Sequence, residues 1–446
     1  MSLMMSISGV RGLIGRTMTP VLAAELGQAF GAHVAAGRVV VGRDSRPSGP
    51  MVRDAVVAGL LASGCEVIDL GVASTPGVGL MVTRLGAAGG VVITASHNPI
   101  EWNGVKFITA RGCAPAPDEA QRILDRYHAK RFELRPVEAL RTARSDDSTH
   151  AEHVAAVRTQ VNVDAIRRRK FRVVLDSVNG AGGEEGRRLL EQLGCSIEHL
   201  NGEPTGRFAH TPEPIAENLT GLCDAVRRGS AEIGFAQDPD ADRLALVDER
   251  GQYIGEEFTL ALAARRVFAR RPGAAAANLS TSRMIDDLAA AAGGDCRVVR
   301  TPVGEAHVVQ AMLREQCVIG GEGNGGVILP QVGLIRNSLV AMALVLDLLA
   351  DSGGTLSAAV AALPRYAMVK RKFELPADAI RAWLERARAQ LTDGRVNAAD
   401  GLRIDWSAGW VHLRASNTEP IARAIAEAAD AATAERLIER VAALRS

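Results

Sequence analysis

Four polar loops carry the residues whose types and spacing could do chemistry. After the apolar run Val91-Val92-Ile93 the chain reads Thr94-Ala95-Ser96-His97-Asn98-Pro99, with Asn103, Gly104 and Lys106 close behind. A hydroxyl at the mouth of a strand, beside an imidazole and an ammonium, can run a covalent group-transfer step. The same residues also build a plain Ser/Asn turn ahead of a proline. The second loop, Asp238-Pro239-Asp240-Ala241-Asp242-Arg243, sets carboxylates at alternate positions. Such crowding of like charge is relieved when the carboxylates converge on one hard cation. An EF-hand would also place Asp238, Asp240, Asp242 and Glu249 at ligand positions, but its sharp turn needs a glycine where this chain has Arg243. Strands rather than helices are expected on both flanks. Magnesium, held by few protein carboxylates and completed by water and phosphate oxygens, suits the loop better, with a solvated acidic turn as the plain alternative.

The third loop, Gly320-Gly321-Glu322-Gly323-Asn324-Gly325-Gly326, contains a nominal dinucleotide fingerprint. That fingerprint must open a helix, whereas Val327-Ile328-Leu329-Pro330 continues extended, so the Rossmann reading is rejected. Glycines around Glu322 and Asn324 would instead let backbone approach a ligand while those two side chains bond its hydroxyls, or would form an ordinary turn. The fourth loop is Arg414-Ala415-Ser416-Asn417-Thr418-Glu419-Pro420, followed by Arg423. Short polar side chains between two guanidiniums make a clamp for a phosphate dianion. A helix is expected to start near Pro420 and to add its dipole to anion binding, and a simple helix cap is the alternative. Two further stretches, Ser8-Gly9-Val10-Arg11-Gly12 and Gly42-Arg43-Asp44-Ser45-Arg46-Pro47-Ser48-Gly49, place arginine among glycines as phosphate sites do, and as surface turns do. Asp176-Ser177-Val178-Asn179-Gly180 lacks the Gly-Lys-Ser/Thr of a nucleotide loop and reads as structural.

These loops need strands and helices to position them. Short β-branched runs (residues 38–41, 91–94, 172–175, 232–236 and 318–320) alternate with Ala- and Leu-rich helical stretches (51–63, 185–193 and 339–350), the pattern of α/β units. The expected fold is three similar α/β domains with mixed sheets plus a smaller α+β C-terminal domain around a central cleft. Boundaries are placed at 1–150, 151–249, 250–364 and 365–446, each domain bearing one loop. With 446 residues, 47% hydrophobic and 23% charged, the chain is long enough for several cores and too apolar for extended disorder. A net charge of +1 and 4% aromatic residues argue against nucleic acid or an anionic membrane as partner. The six dispersed cysteines suggest no disulfide framework or structural zinc, the most apolar run stops at Asp347, and no export signal is visible, so a cytoplasmic protein is expected.

In this order and on this length of chain, the loops resemble the α-D-phosphohexomutase superfamily, from Ser8 to Arg423. The resemblance implies that Ser96 carries a phosphoryl group and that Asp238, Asp240 and Asp242, with Ser96, hold one Mg²⁺ per subunit. It also implies that Arg243, Glu322 and Asn324 bind the sugar phosphate, while Arg414, Ser416, Asn417 and Thr418 grip the distal phosphate, with Arg423 beside them. Lys106 and Arg11 are the candidates for assisting proton transfer and stabilising the transferring phosphoryl, and His97 either does this or only orients the loop. The implied enzyme is an intramolecular phosphotransferase, a phosphomutase of the isomerase class, that interconverts hexose 1- and 6-phosphates through a hexose 1,6-bisphosphate intermediate and activator. It would be a monomer or homodimer whose last domain moves.

Two departures point to the branch assigned as phosphoglucosamine mutases, with phosphoglucomutase/phosphomannomutase as the alternative. Asn324 and Gly326 stand where the sugar loop often carries Ser and His, and Ser8-Gly9-Val10-Arg11-Gly12 stands where T-x-G-I-R-G is common. A non-catalytic sugar-phosphate-binding protein is the reading from a different class, opposed by the intact Ser96 and Asp trio. A phosphatase or kinase is opposed by the second phosphate clamp and the missing nucleotide loop.

Overall fold

The chain folds into four sheet-centred domains that follow one another in sequence. The structure, a computed structural model, describes residues 3–6, 9–416 and 421–445. The first sheet contains β1 (Met4–Ser6), β2 (Gly9–Leu13), β3 (Arg38–Arg43), β4 (Glu66–Val72), β5 (Gly89–Ile93), β6 (Trp102–Thr109) and β7 (Ala143–Ser145), in spatial order β1-β2-β6-β5-β3-β4-β7. The second has β8 (Arg172–Asp176), β9 (Ser196–Leu200), β10 (Ile233–Gln237) and β11 (Leu244–Asp248), ordered β11-β10-β8-β9. The third has β12 (Ala274–Asn278), β13 (Arg297–Thr301), β14 (Ile319–Glu322) and β15 (Gly326–Ile328), ordered β13-β12-β14-β15. The fourth has β16 (Ala367–Glu374), β17 (Arg395–Asn397), β18 (Leu402–Trp406), β19 (Gly409–Ala415) and β20 (Ile421–Ala428), ordered β16-β20-β19-β18-β17 and antiparallel throughout.

One device recurs in the first three domains. A buried strand of the parallel part (β5, β10 or β14) turns back into an antiparallel neighbour (β6, β11 or β15). The loops at those turns hold Ser96, the Asp trio and Glu322-Asn324, so all three lie at the carboxyl ends of parallel strands, where open α/β sheets place ligands. The extended continuation expected after the glycine loop is β15.

Packing then joins the domains. The helix Ser338–Ser352 is buried without interruption from Ser338 to Leu349 and lies in a core shared by the second and third domains. A helix apolar on every side is stable only inside such a core. Its one buried charge, Asp347, accepts from Arg266 at 2.8 Å and Arg270 at 2.9 Å. The fourth domain docks on the third through polar contacts: Arg403 Nη1 donates to Leu279 O at 2.5 Å, and the Arg283 amide to Glu427 Oε1 at 3.0 Å. Among the described residues, no helix is long and apolar enough to cross a membrane.

The helix expected near Pro420 is not formed. Residues Ile421–Ala428 are strand β20, paired with β16 on one side and β19 on the other. The segment is Ala-rich, but its alanines fall at every second position, and Ala422, Ala424, Ala426 and Ala428 all face the domain core. A period of two with a partner on each edge overrides the helix propensity of alanine. Residues 421–428 therefore lend no helix dipole to the phosphate clamp expected there.

Candidate active site

Ser96 sits at the end of β5 with φ of 51°, in the left-handed region, and is 1% exposed. Its amide donates to Thr94 Oγ1 at 2.8 Å, and its Oγ donates to Asp238 Oδ2 at 3.0 Å. The serine loop of the first domain thus meets the aspartate loop of the second directly. His97 Nδ1 lies 3.4 Å from the same hydroxyl. Burial, then Arg243 and Arg11, push the His97 imidazole down to about 2, so it stands neutral.

The aspartate loop is built to keep oxygens available. Asp238 Oδ1 accepts from the amides of Asp242 and Arg243 at 3.0 and 3.1 Å, which folds the loop around that side chain. Asp240 Oδ2 accepts from Thr75 Oγ1 at 2.5 Å and Lys106 Nζ at 2.6 Å. Asp242 Oδ2 accepts from Arg336 Nη2 at 2.6 Å. The remaining Oδ1 atoms of Asp240 and Asp242 are buried with no hydrogen-bond partner among the described residues. One oxygen from each of the three residues lies within 4.8 Å of the others. Two unpartnered buried carboxylate oxygens in a close-set trio of aspartates are donors suited to a hard dication.

Electrostatics divide the trio. Burial, reinforced by Asp242 and Asp240, holds the Asp238 carboxyl well above the usual range. Burial would raise Asp240 too, but Lys106 and the hydrogen bonds around it hold that group down. Lys106 is raised despite its burial, because Asp240 and Asp242 favour its ammonium form. Arg11, which donates to Asn98 Oδ1 at 2.8 Å, is lowered chiefly by burial.

The third domain supplies the opposite wall. Glu322 Oε1 accepts from Asn278 Nδ2 at 2.8 Å and from the Gly304 amide at 3.0 Å, and its Oε2 accepts from Arg336 Nη1 at 2.6 Å. Asn324 Oδ1 is buried without a partner among the described residues. The Leu244 amide donates to Gly325 O at 3.0 Å, stitching the glycine loop to the end of the aspartate loop. Between these walls lies a cavity of about 220 Å³ lined by Arg11, Lys106, Arg243, Glu322 and Asn324, together with Thr75, Glu305 and Arg336.

The described end of the fourth loop is linked to this cavity's wall through Asp400. Arg414 is paired in register with Arg423 across β19 and β20, and the Ser416 amide donates to Ile421 O at 2.9 Å. Arg414 Nε lies 3.2 Å from Asp400 Oδ2, which also accepts at 2.9 Å from the amide of Val303, a residue of the cavity wall. Asn417 and Thr418 lie outside the described residues.

Two arginines behave differently from their sequence reading, or were missed by it. Arg46 is neither a phosphate ligand nor part of a surface turn, because it is wholly buried beneath the Ser96 loop. Arg336 was not singled out, since it stands alone before an ordinary Asn337 helix cap. Yet it bridges the metal and sugar loops, and its Nε lies 3.0 Å from Glu305 Oε2. Arg336→Met would strand two buried carboxylates, Asp242 and Glu322, and the half-buried Glu305 without their shared counter-charge. The expected loss is about 3–5 kcal/mol of stability. Urea unfolding reads it, and a change below about 1 kcal/mol would show that these carboxylates do not depend on the guanidinium.

Comparison with known proteins decides the family. Descriptions of phosphoglucomutase/phosphomannomutase alpha/beta/alpha domains I, II and III match residues 4–134, 150–251 and 256–366, and that of the C-terminal domain matches 368–444. The chain belongs to the phosphoglucomutase/phosphomannomutase family. It is 37% identical over 441 residues to a phosphoglucomutase/phosphomannomutase of Thermococcus kodakarensis, covering 97% of this chain and 96% of the relative. It is 37% identical over 427 residues to a probable phosphoglucosamine mutase of Methanopyrus kandleri, covering 94% and 93%. The crystal structure of a phosphoglucomutase/phosphomannomutase family protein from Burkholderia thailandensis superposes with a TM-score of 0.87 at 29% identity, covering 99% of this chain and 97% of that one. As a member of this family, the chain is an isomerase-class intramolecular phosphotransferase.

Family membership makes one departure physically legible. A Cβ at Gly326, where the sugar loop often carries His, would lie 2.2 Å from Arg336 Cδ. The Arg336 stem occupies the space that a side chain at Gly326 would need.

Proposed function

We propose that this phosphohexomutase interconverts hexose 1-phosphate and hexose 6-phosphate through phospho-Ser96 and a hexose 1,6-bisphosphate, with glucosamine phosphate as its preferred sugar. The observation that carries the proposal is the 3.0 Å contact between Ser96 Oγ and Asp238 Oδ2 beside the 220 Å³ cavity. It puts a buried hydroxyl at the mouth of β5 against a carboxylate trio with two unpartnered oxygens.

Asp238, Asp240 and Asp242, with the Ser96 oxygen, would hold one Mg²⁺, which when bound supplies positive charge to offset the charge developing on a transferring phosphoryl group. The protein's own residues do the rest. A sugar hydroxyl attacks the phosphorus of phospho-Ser96 in line, the new P–O bond forms, and the bond to Ser96 Oγ breaks. Lys106, kept as an ammonium by Asp240 and Asp242, and Arg11 face the cavity as fixed positive charge for the transferring oxygens. The proton of the attacking hydroxyl ends on Ser96 Oγ as the old P–O bond breaks, and the His97 imidazole, 3.4 Å from that oxygen and held neutral, orients the loop.

The bisphosphate then turns end for end and returns its other phosphoryl group to Ser96. Glu322 and Asn324 serve both poses, because equatorial hydroxyls in the middle of the ring fall in similar places after the turn. Arg414, Ser416, Asn417 and Thr418, with Arg423, take the phosphate not being transferred, and Arg243 faces the cavity from the aspartate loop.

The name of the Methanopyrus kandleri relative supports glucosamine phosphate. That of the Thermococcus kodakarensis relative supports glucose or mannose phosphate, the second reading. An assay panel of glucosamine 6-phosphate, glucose 1-phosphate and mannose 1-phosphate, each primed with its hexose bisphosphate, separates them. Glucosamine 6-phosphate should lead in kcat/KM by at least about tenfold, a margin one specific polar contact can supply. A ranking led by mannose or glucose would replace the sugar and leave the mutase.

A further inference from the structure

The guanidinium of Arg46 has five N–H donors, and each meets an acceptor. Nε donates to Asp44 Oδ2 at 3.0 Å, Nη1 to Pro99 O at 2.6 Å and Trp102 O at 3.0 Å, and Nη2 to Ser96 O and Asn98 O, both at 2.6 Å. Four of the five bonds thus end on backbone carbonyls of one loop, the loop that carries Ser96. The residue is 0% exposed, and the ring of Phe208, from the second domain, covers its guanidinium at 4.9 Å.

A second path closes on the same residue. Asp44 Oδ1 accepts from the Arg46 amide at 2.9 Å, and Asp44 Oδ2 accepts from Thr94 Oγ1 at 2.6 Å. Thr94 Oγ1 in turn accepts from the Ser96 amide at 2.8 Å. Both backbone polar groups of Ser96 are therefore held, its carbonyl by Arg46 and its amide by Thr94. That grip matters because Ser96 has φ of 51°, a conformation that an L-residue keeps only when its surroundings over-determine it. The direction of the Cα–Cβ bond, and so the position of Oγ beside Asp238, follows from that backbone.

We infer that Arg46 is a positioning residue for phosphoryl transfer, a buried fork that holds the backbone of the Ser96 loop in the strained conformation aiming its oxygen at the aspartate trio. The inference rests on the reading of Ser96 as phosphoryl carrier. Lysine in its place would keep the charge against Asp44, but its three donors on one atom cannot satisfy four carbonyls arranged for a planar fork.

Arg46→Lys should lower kcat by roughly 10²-fold, the effect of misplacing a reacting group by about 1 Å, while KM for the hexose phosphate stays within about threefold. With phospho-Ser96 labelled in the intact enzyme, single-turnover transfer of label to the sugar should slow by the same factor, a readout that general loss of stability would not move. Thr94→Val, which cuts the other path, should give the same split, and Thr94→Ser, which restores the hydroxyl, should recover most of the rate. These threonine variants decide the matter if Arg46→Lys does not fold. Wild-type single-turnover rates in Arg46→Lys, or in Thr94→Val, would overturn the inference while Ser96→Ala remained inactive. Activity in Ser96→Ala would instead remove the reading beneath it.

Discussion

Replacing Ser96 with alanine should abolish mutase turnover, by at least about 10⁴-fold, because the covalent carrier is lost rather than weakened. Alanine tolerates the left-handed backbone of this position no worse than serine does, and the amide and carbonyl bonds to Thr94 and Arg46 do not involve the side chain. The variant should therefore melt within a few degrees of the parent and still bind hexose phosphate, measured by calorimetry. The result that would sink the assignment is activity above about 1% of the parent. In that case the other hydroxyl at the trio, Thr75 Oγ1 against Asp240 Oδ2 at 2.5 Å, would become the candidate carrier. Thr75 is the weaker candidate on geometry, since its oxygen is already fixed at the start of a helix capped by Ser74.

What was readable in advance divides along a physical line. Ser96, the Asp trio and Glu322-Asn324 could be seen because each sits in a short polar loop directly after an apolar strand, where function and local pattern coincide. Their convergence could not be seen, since it depends on contacts such as Ser96 with Asp238, separated by 142 positions. Arg336 and Thr75 escaped for the same reason: each is an unremarkable residue at a helix start, and only tertiary packing points it at a carboxylate. Arg46 was noticed but misread, because arginine among glycines looks alike whether it binds phosphate or backbone carbonyls. The strand β20 was missed because alanine content signals helix, while the alternation that puts Ala422 and Ala424 inward has meaning only once β16 and β19 flank it. Local chemistry was visible, then, and the supports that aim it were not.

Asp240→Asn should weaken Mg²⁺ dependence and activity together. The change keeps the shape of the side chain but removes one of the three charges, and it swaps a carboxylate for an amide that carries a single acceptor oxygen. That oxygen cannot both receive Lys106 and Thr75, as Oδ2 now does, and stay open to a cation, as the unpartnered Oδ1 now is. Loss of even a residue that merely orients a metal ligand costs 10–100-fold in affinity, so losing a ligand charge should shift the Mg²⁺ titration by about 10²-fold or more. Binding of Mn²⁺ followed by electron paramagnetic resonance reads the same shift without relying on turnover. At saturating metal part of the activity should return, since Ser96, Arg11 and Glu322 are untouched. An unchanged titration would mean that the three carboxylates are gathered only to balance Lys106, Arg243 and Arg336. Without metal the amide should make the protein less stable under either reading, because Lys106 loses the carboxylate that it holds below its usual range, so the metal titration is the measurement that separates them.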